Sequence, residues 1–297
     1  MVKGWPLWGM ILFCVLSGNG WILTQAWPSQ LPWPFIACIH FALIGTVGFG
    51  FAAVKNGHRK SIPQRMLALC GAGLCLFVLP TAALEFASGS VSEATSAAAF
   101  CAVPLMTVLA ASAFGGDESR VRGSMDPALV GLAGASLLFP VSDPGSLQRW
   151  LSFGIIMAAC AVVAIASVEL HRLLQSIEIA TAVTIIGLGS SAVLGLYGAS
   201  EGWPAISIRQ IATELLRCVA LDLPAVFLLT WLIREIPPSR LSARFLFVPL
   251  VTVLEGFATA PRTLEWRSAL AIGLLCVGGL TLLQKEVSEE LPSLHLH

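Results

Sequence analysis

The sequence predicts an all-α polytopic membrane protein of ten transmembrane helices, arranged as two inverted five-helix repeats. Three observations carry that expectation. Of 297 residues, 56% are hydrophobic and 11% charged, against about 25% charged in a soluble domain. So little polar surface cannot cover a water-soluble core, and the excess apolar surface must face lipid. Apolar runs of spanning length recur along the chain. One phrase also occurs twice: Cys101–Leu109 reads CAVPLMTVL, and Leu246–Leu254 reads LFVPLVTVL.

A spanning helix needs about 20 mostly apolar residues. The candidate spans are 7–26, 33–54, 65–85, 94–115, 127–141, 150–168, 179–199, 213–233, 241–260 and 267–284. The fifth is short. Turn and charge signals separate them: WPSQLPWP at 27–34, KNGHRKSIPQR at 55–65, GGDESRVRG at 115–123, SDPG at 142–145 and REIPPSR at 234–240. The N-terminus has the look of a signal peptide but lacks a small-residue cleavage site, and more spans follow. It reads as the first membrane helix.

With the N-terminus inside and ten crossings, twelve of the 17 Lys and Arg residues fall on the inner side. Cytoplasmic loops carry that excess, so both termini are expected in the cytoplasm of a multi-pass inner-membrane protein. Trp27, Trp33, Trp150, Trp203 and Trp266 fall near outer ends, and Trp5, Trp8 and Trp231 near inner ends. These are interfacial belt positions.

The repeated phrase lies in spans four and nine. Five spans separate the copies, so they cross in opposite directions. Val103–Leu109 and Val248–Leu254 differ only at Met106 and Val251. Pro80 precedes Pro104 at nearly the interval by which Pro224 precedes Pro249. A Gly-rich span follows each phrase, ALVGLAGASLLF (128–139) and ALAIGLLCVGGLTLL (269–283). The halves are 1–145 and 146–297, forming one integrated membrane domain. Inverted repeats are a common build for secondary transporters, with substrate near the midplane. Proline inside a helix frees a carbonyl and bends the chain. Pro80, Pro104, Pro224 and Pro249 are therefore candidate hinge or pocket-shaping residues.

These features together resemble the EamA-like family of the drug/metabolite transporter superfamily. Span four (94–119) is similar to that family's alanine-rich helix with a central proline and a following acidic residue, here Asp117 or Glu118. Residues 242–257 resemble its second-half counterpart. In PFIACIHFALIG (34–45), His40–Phe41 takes the place of the family's basic residue before Phe. The chain departs from the family at ATAPRTLEW (258–266), where a Gly-Glu turn is usual, and at Gly18–Asn19, where a fuller Trp-Gly-x-Asn pattern is usual. The resemblance implies an exporter or exchanger of metabolites, amino acids or drugs. It also implies a pocket lined by spans one, three, four, six, eight and nine.

Ionisable groups at membrane depth are costly, and so are functional candidates. Asp222, two residues before Pro224, reads as a proton-coupling carboxylate or a partner for a cationic group on the substrate. Its alternative role is a pair with Arg217 or a bond to backbone freed by Pro224. His40 reads as a proton relay or as a hydrogen-bonded packing residue. Asn19 reads as a substrate ligand or a tie between helices. Glu255 reads as a vestibule residue, a snorkelling side chain or a partner of Arg217. Arg244 reads as a positive-inside anchor.

The eight cysteines form no CxxC pair and have no His cluster beside them. They read as small apolar packing residues, with neither a disulfide frame nor a metal site expected. Enzyme signatures such as G-x-S-x-G, H-E-x-x-H and a Walker loop are absent, and no cofactor is expected. Zero net charge points away from nucleic acid. The expected partners are the lipid bilayer, a small organic solute and protons. The competing expectation is a membrane-embedded enzyme or accessory subunit acting on lipid-linked substrates. The orientation is testable: a reporter active only in the cytoplasm, fused at the C-terminus, is expected to give signal, and one active only outside is not.

Overall fold

The computed structural model describes residues 5–18, 31–55, 63–114, 118–139, 146–202, 206–259 and 265–284. Among the described residues every regular element is a helix. In chain order these are α1 (Trp5–Gly18), α2 (Trp33–Lys55), α3 (Pro63–Phe77), α4 (Leu79–Ala87), α5 (Glu93–Phe100), α6 (Val103–Ala113) and α7 (Glu118–Leu138). Then come α8 (Leu147–Leu174), α9 (Ile179–Glu201), α10 (Ile208–Arg217), a π-turn (Cys218–Asp222), α11 (Leu223–Glu235), α12 (Pro238–Leu241), α13 (Arg244–Thr259) and α14 (Trp266–Gln284).

Among the described residues, 7 helical stretches are long and apolar enough to cross a membrane. They are Trp33–Val54, Gln64–Ala87, Glu93–Ala113, Leu147–Leu174, Ile179–Ser200, Ile208–Glu235 and Trp266–Gln284. Large apolar side chains stand outward on them, such as Leu67 at 76% exposure and Leu196 at 75%. The protein is a helical multi-pass membrane protein. In hydrocarbon a segment must satisfy its own N–H and C=O groups, and the helix does so within one segment.

The helices fall on the predicted segments, with informative differences. The third segment divides at Val78 and the fourth at Cys101–Ala102. Pro80 and Pro104 sit in the first turn of the helix that follows each break. There a missing N–H leaves no helical bond unmade, whereas further along the ring would obstruct the preceding turn. The fifth segment was expected at 127–141, but α7 begins at Glu118 and holds Pro127 inside it. The sixth extends to 28 residues. At the ninth, α13 has only 16 residues. For the first segment, α1 is described to Gly18, and residues 19–30 lie outside the described residues.

The chain forms two compact units. One comprises Met1–Val78 and Glu169–Glu235, the other Leu79–Val168 and Ile236–His297. Each unit draws on both halves of the sequence.

In the first unit α2 packs along α9 with small residues at the crossing. A Cβ added at Gly187 would lie 2.6 Å from Gly45 Cα, and one at Gly45 would lie 2.6 Å from Leu188 N. Backbones approach this closely only where side chains are missing. Further round the unit, His171 Nδ1 donates to Ile233 O at 2.6 Å and Gln175 Nε2 donates to Arg234 O at 2.8 Å. Both bonds cover last-turn carbonyls of α11 that the helix itself leaves open.

In the second unit α7 packs on α14 in the same manner. A Cβ at Gly278 would lie 2.6 Å from Gly131 N, and one at Gly134 would lie 2.8 Å from Leu275 N. The α5–α6 break meets α13. Pro249 has no N–H for the carbonyl four residues back, that of Phe245. The Cys101 thiol donates to that carbonyl at 3.4 Å, and the Phe100 ring stacks on Phe245 with centroids 6.4 Å apart. The first copy of the repeated phrase thus meets, through Cys101, the residue that precedes the second, Phe245. Arg240 Nε donates to Leu283 O at 3.0 Å, covering the end of α14. Arg244, expected as an interfacial anchor, is buried, its guanidinium 4.6 Å from the Phe245 ring centroid.

The glycine crossing gives a stability prediction. Gly187→Leu drives a side chain into the α2 backbone, which cannot turn aside. Overpacking of this kind costs about 1–3 kcal/mol or more. A clear fall in the melting temperature of the detergent-purified protein is expected. Gly154→Leu, where nothing lies within 4 Å of an added Cβ, is the control and should melt near wild type.

Candidate functional site

The first unit gathers its membrane-depth charges on one stripe of the 28-residue stretch Ile208–Glu235. Ser207 starts α10 with a capping box: its hydroxyl accepts from Gln210 N while the Gln210 side chain accepts from Ser207 N. The helix runs to Arg217, then winds wider through the π-turn, where Leu223 N–H reaches back to Cys218 O. Pro224 follows immediately and can donate nothing. The wide turn keeps Glu214, Cys218 and Asp222 on one side, all against His40 of α2.

His40 lies along that stripe. Its Nδ1 is 2.8 Å from Asp222 Oδ2 and its Nε2 is 3.5 Å from Glu214 Oε2. The Cys218 thiol, between the two carboxylates in sequence, donates to His40 O at 3.6 Å. Arg217 NH1 lies 3.6 Å from Glu214 Oε2. A carboxylate oxygen accepts, so Nδ1 is the donor in the 2.8 Å contact. The Glu214 and His40 side chains are 5% and 11% exposed, and that of Asp222 is 47% exposed. One end of the cluster is therefore desolvated and the other open.

Apolar side chains pack beside the cluster at Cys218. Ile44, Val183, Cys218 and Val226 are buried together, with Phe41, Phe77 and Phe227 against them. Phe41 and Phe77 meet edge to face with centroids 6.2 Å apart. Polar contacts strengthen in such surroundings, and an unpaired charge there is expensive.

Of the residues singled out from sequence, the fold joins His40 and Asp222 directly. Glu255 lies on α13 in the second unit, half-buried. Asn19 lies outside the described residues. Pro80 and Pro104 follow helix breaks, Pro224 follows the π-turn, and Pro249 stands inside α13. Sequence reasoning overlooked Glu214, and it took Cys218 for packing. A signal was present: Glu214, Cys218 and Asp222 are each four residues apart, one helical stripe.

No protein-family model and no curated protein matches the chain. A protein of known crystal structure is similar, with 17% sequence identity and a TM-score of 0.73 over 93% of this chain and 97% of that one. At this identity the two share the fold.

The exposure gradient gives a prediction. His40→Leu replaces the polar ring beside buried Glu214 with an apolar side chain, and leaving a buried polar group unsatisfied costs about 1–3 kcal/mol. Asp222→Asn acts at a half-exposed carboxylate, where a pair contributes about 1 kcal/mol or less. Melting curves are expected to show a large loss for the first and a small one for the second.

Proposed function

We propose that this chain is a secondary transporter of the EamA-like, drug/metabolite type. It moves a small organic metabolite across the inner membrane by alternating access, as an exporter or exchanger, and it is not an enzyme. In this reading the chain crosses ten times, with both termini cytoplasmic, as two inverted repeats, 1–145 and 146–297.

The observation that carries the reading is the His40–Asp222 pair. Asp222 stands midway along a membrane-length helix, and His40 stands about 10 Å into its own helix. Charged side chains at such depth face a bundle interior or a water-filled path and mark routes for solutes. The half-exposed carboxylate suits a polar or cationic group on the solute.

Helix pairing supports the repeat. A two-fold operation that exchanges the halves carries each span onto the one five places later. Within each unit, spans five places apart pack on each other. Here the second span (α2) packs on the seventh (α9), and the fifth (α7) on the tenth (α14), each through facing glycines. The fourth meets the ninth at Cys101 and Phe245.

A thermal-stability screen of the detergent-purified protein against a metabolite library tests the reading. A ligand that binds only the folded state raises the melting temperature by mass action. One chemical class is expected to stabilise wild type, and to do so less in Asp222→Asn. The same class should be carried by wild-type proteoliposomes and lost or strongly reduced with the variant. A well-folded protein that answers to lipid-linked compounds and to no soluble metabolite would move it to the enzyme or accessory class.

A further inference from the structure

The cluster described above holds a feature that transport of an organic solute leaves unexplained. His40 Nε2 and Glu214 Oε2 are buried, 3.5 Å apart, and neither has a hydrogen-bond partner. With the ring proton on Nδ1 facing Asp222, two lone pairs oppose each other inside the protein. Buried polar atoms are rarely left so. On the other edge of the ring, His40, Cys218 and Asp222 each offer a ligand atom, all within 4.8 Å of one another.

We propose that His40 Nδ1, Cys218 Sγ and an Asp222 carboxylate oxygen bind one divalent transition-metal ion of the zinc or cobalt class. Glu214 then accepts a hydrogen bond from the ring N–H on the far side of the imidazole. A zinc-like ion places its N, O and S ligands at about 2.0–2.3 Å in a tetrahedral arrangement, which sets ligand atoms about 3–4 Å apart. The three atoms lie within 4.8 Å of one another, close to that spacing. Imidazole with thiolate selects borderline ions over magnesium or calcium, which take oxygen sets. Three protein ligands leave a fourth position, and Asp222 sits at the exposed end where water or a solute can reach it.

The proton count supports the assignment. An ion on Nδ1 displaces the proton from that nitrogen, and a neutral ring then carries it on Nε2. That N–H faces Glu214 Oε2, so both orphaned atoms become partnered. A metal-bound imidazole whose other N–H goes to a carboxylate is the usual outer arrangement of such sites. The thiol gives up its proton to solvent as the metal–sulfur bond forms. Without the ion, Asp222 leaves the three ligand residues with one negative charge. With the dication, the thiolate and the carboxylate, their charge is zero. Arg217 beside Glu214 balances that carboxylate in both states. The inference concerns ion binding alone and stands whether or not the protein carries an organic solute.

Titration of the purified, metal-stripped full-length protein with cobalt(II) tests it. The expected result is a thiolate-to-cobalt charge-transfer absorption saturating at one ion per chain, with release of the thiol proton. Zinc should displace the cobalt and abolish the band. Cys218→Ser should lose the band while melting near wild type without metal; Cys276→Ser should keep it. Glu214→Gln keeps the ligands but changes the acceptor of the ring N–H, and should weaken binding about 10- to 100-fold. Absence of the band in folded wild-type protein, or its persistence in Cys218→Ser, would overturn the assignment. An undiminished affinity in Glu214→Gln would overturn the role given to Glu214.

Discussion

The desolvation of Glu214 is the constraint around which the first unit is arranged. A carboxylate this deeply buried is expensive without compensating partners. Arg217 supplies the charge from the next turn of the same helix, and His40 supplies a polar edge from α2. For His40 to arrive there, α2 must lie close to the stretch that carries Glu214. It is held by its crossing with α9, where Gly45 and Gly187 remove the side chains that would keep the backbones apart. The aromatic and aliphatic side chains around the cluster then exclude water and raise the worth of each polar contact. The ligand edge of the imidazole and its carboxylate edge follow from this one placement.

The same logic governs the backbone. Four of the prolines in the apolar segments are accommodated in three ways. Pro80 and Pro104 open new helices, where no bond is missed. Pro224 follows a π-turn. Pro249 stays within α13, and the carbonyl it leaves without a helical donor accepts from the Cys101 thiol. Cysteine here is more than a small apolar residue. Cys38, Cys101, Cys160 and Cys218 all donate to main-chain carbonyls of other helices. A weak donor with little bulk fits where helices run too close for serine's stronger competition with its own turn.

The predicted boundaries failed where local chemistry and hydropathy disagreed. Proline in spans three and four suggests a bend, but it marks a restart, because its fixed φ suits a first turn. At α7 the converse holds: the apolar run begins at residue 127, yet Pro127 lies inside a helix that starts at Glu118. Hydropathy registers the apolar part of a helix and misses charged turns that extend it beyond the hydrocarbon.

By itself the sequence determined the class of the molecule, the places of its apolar helices and two of the residues that meet in its charged cluster. Composition and periodicity are properties of the chain alone, and lipid leaves few ways to satisfy them. Only the tertiary structure decided that His40 faces Asp222 and Glu214 together. It also decided that Cys218 is a candidate ligand, and that Arg244 is buried. His40 and Cys218 are 178 residues apart. No local pattern links them, and their meeting depends on glycine crossings and a π-turn whose effects appear only when helices pack.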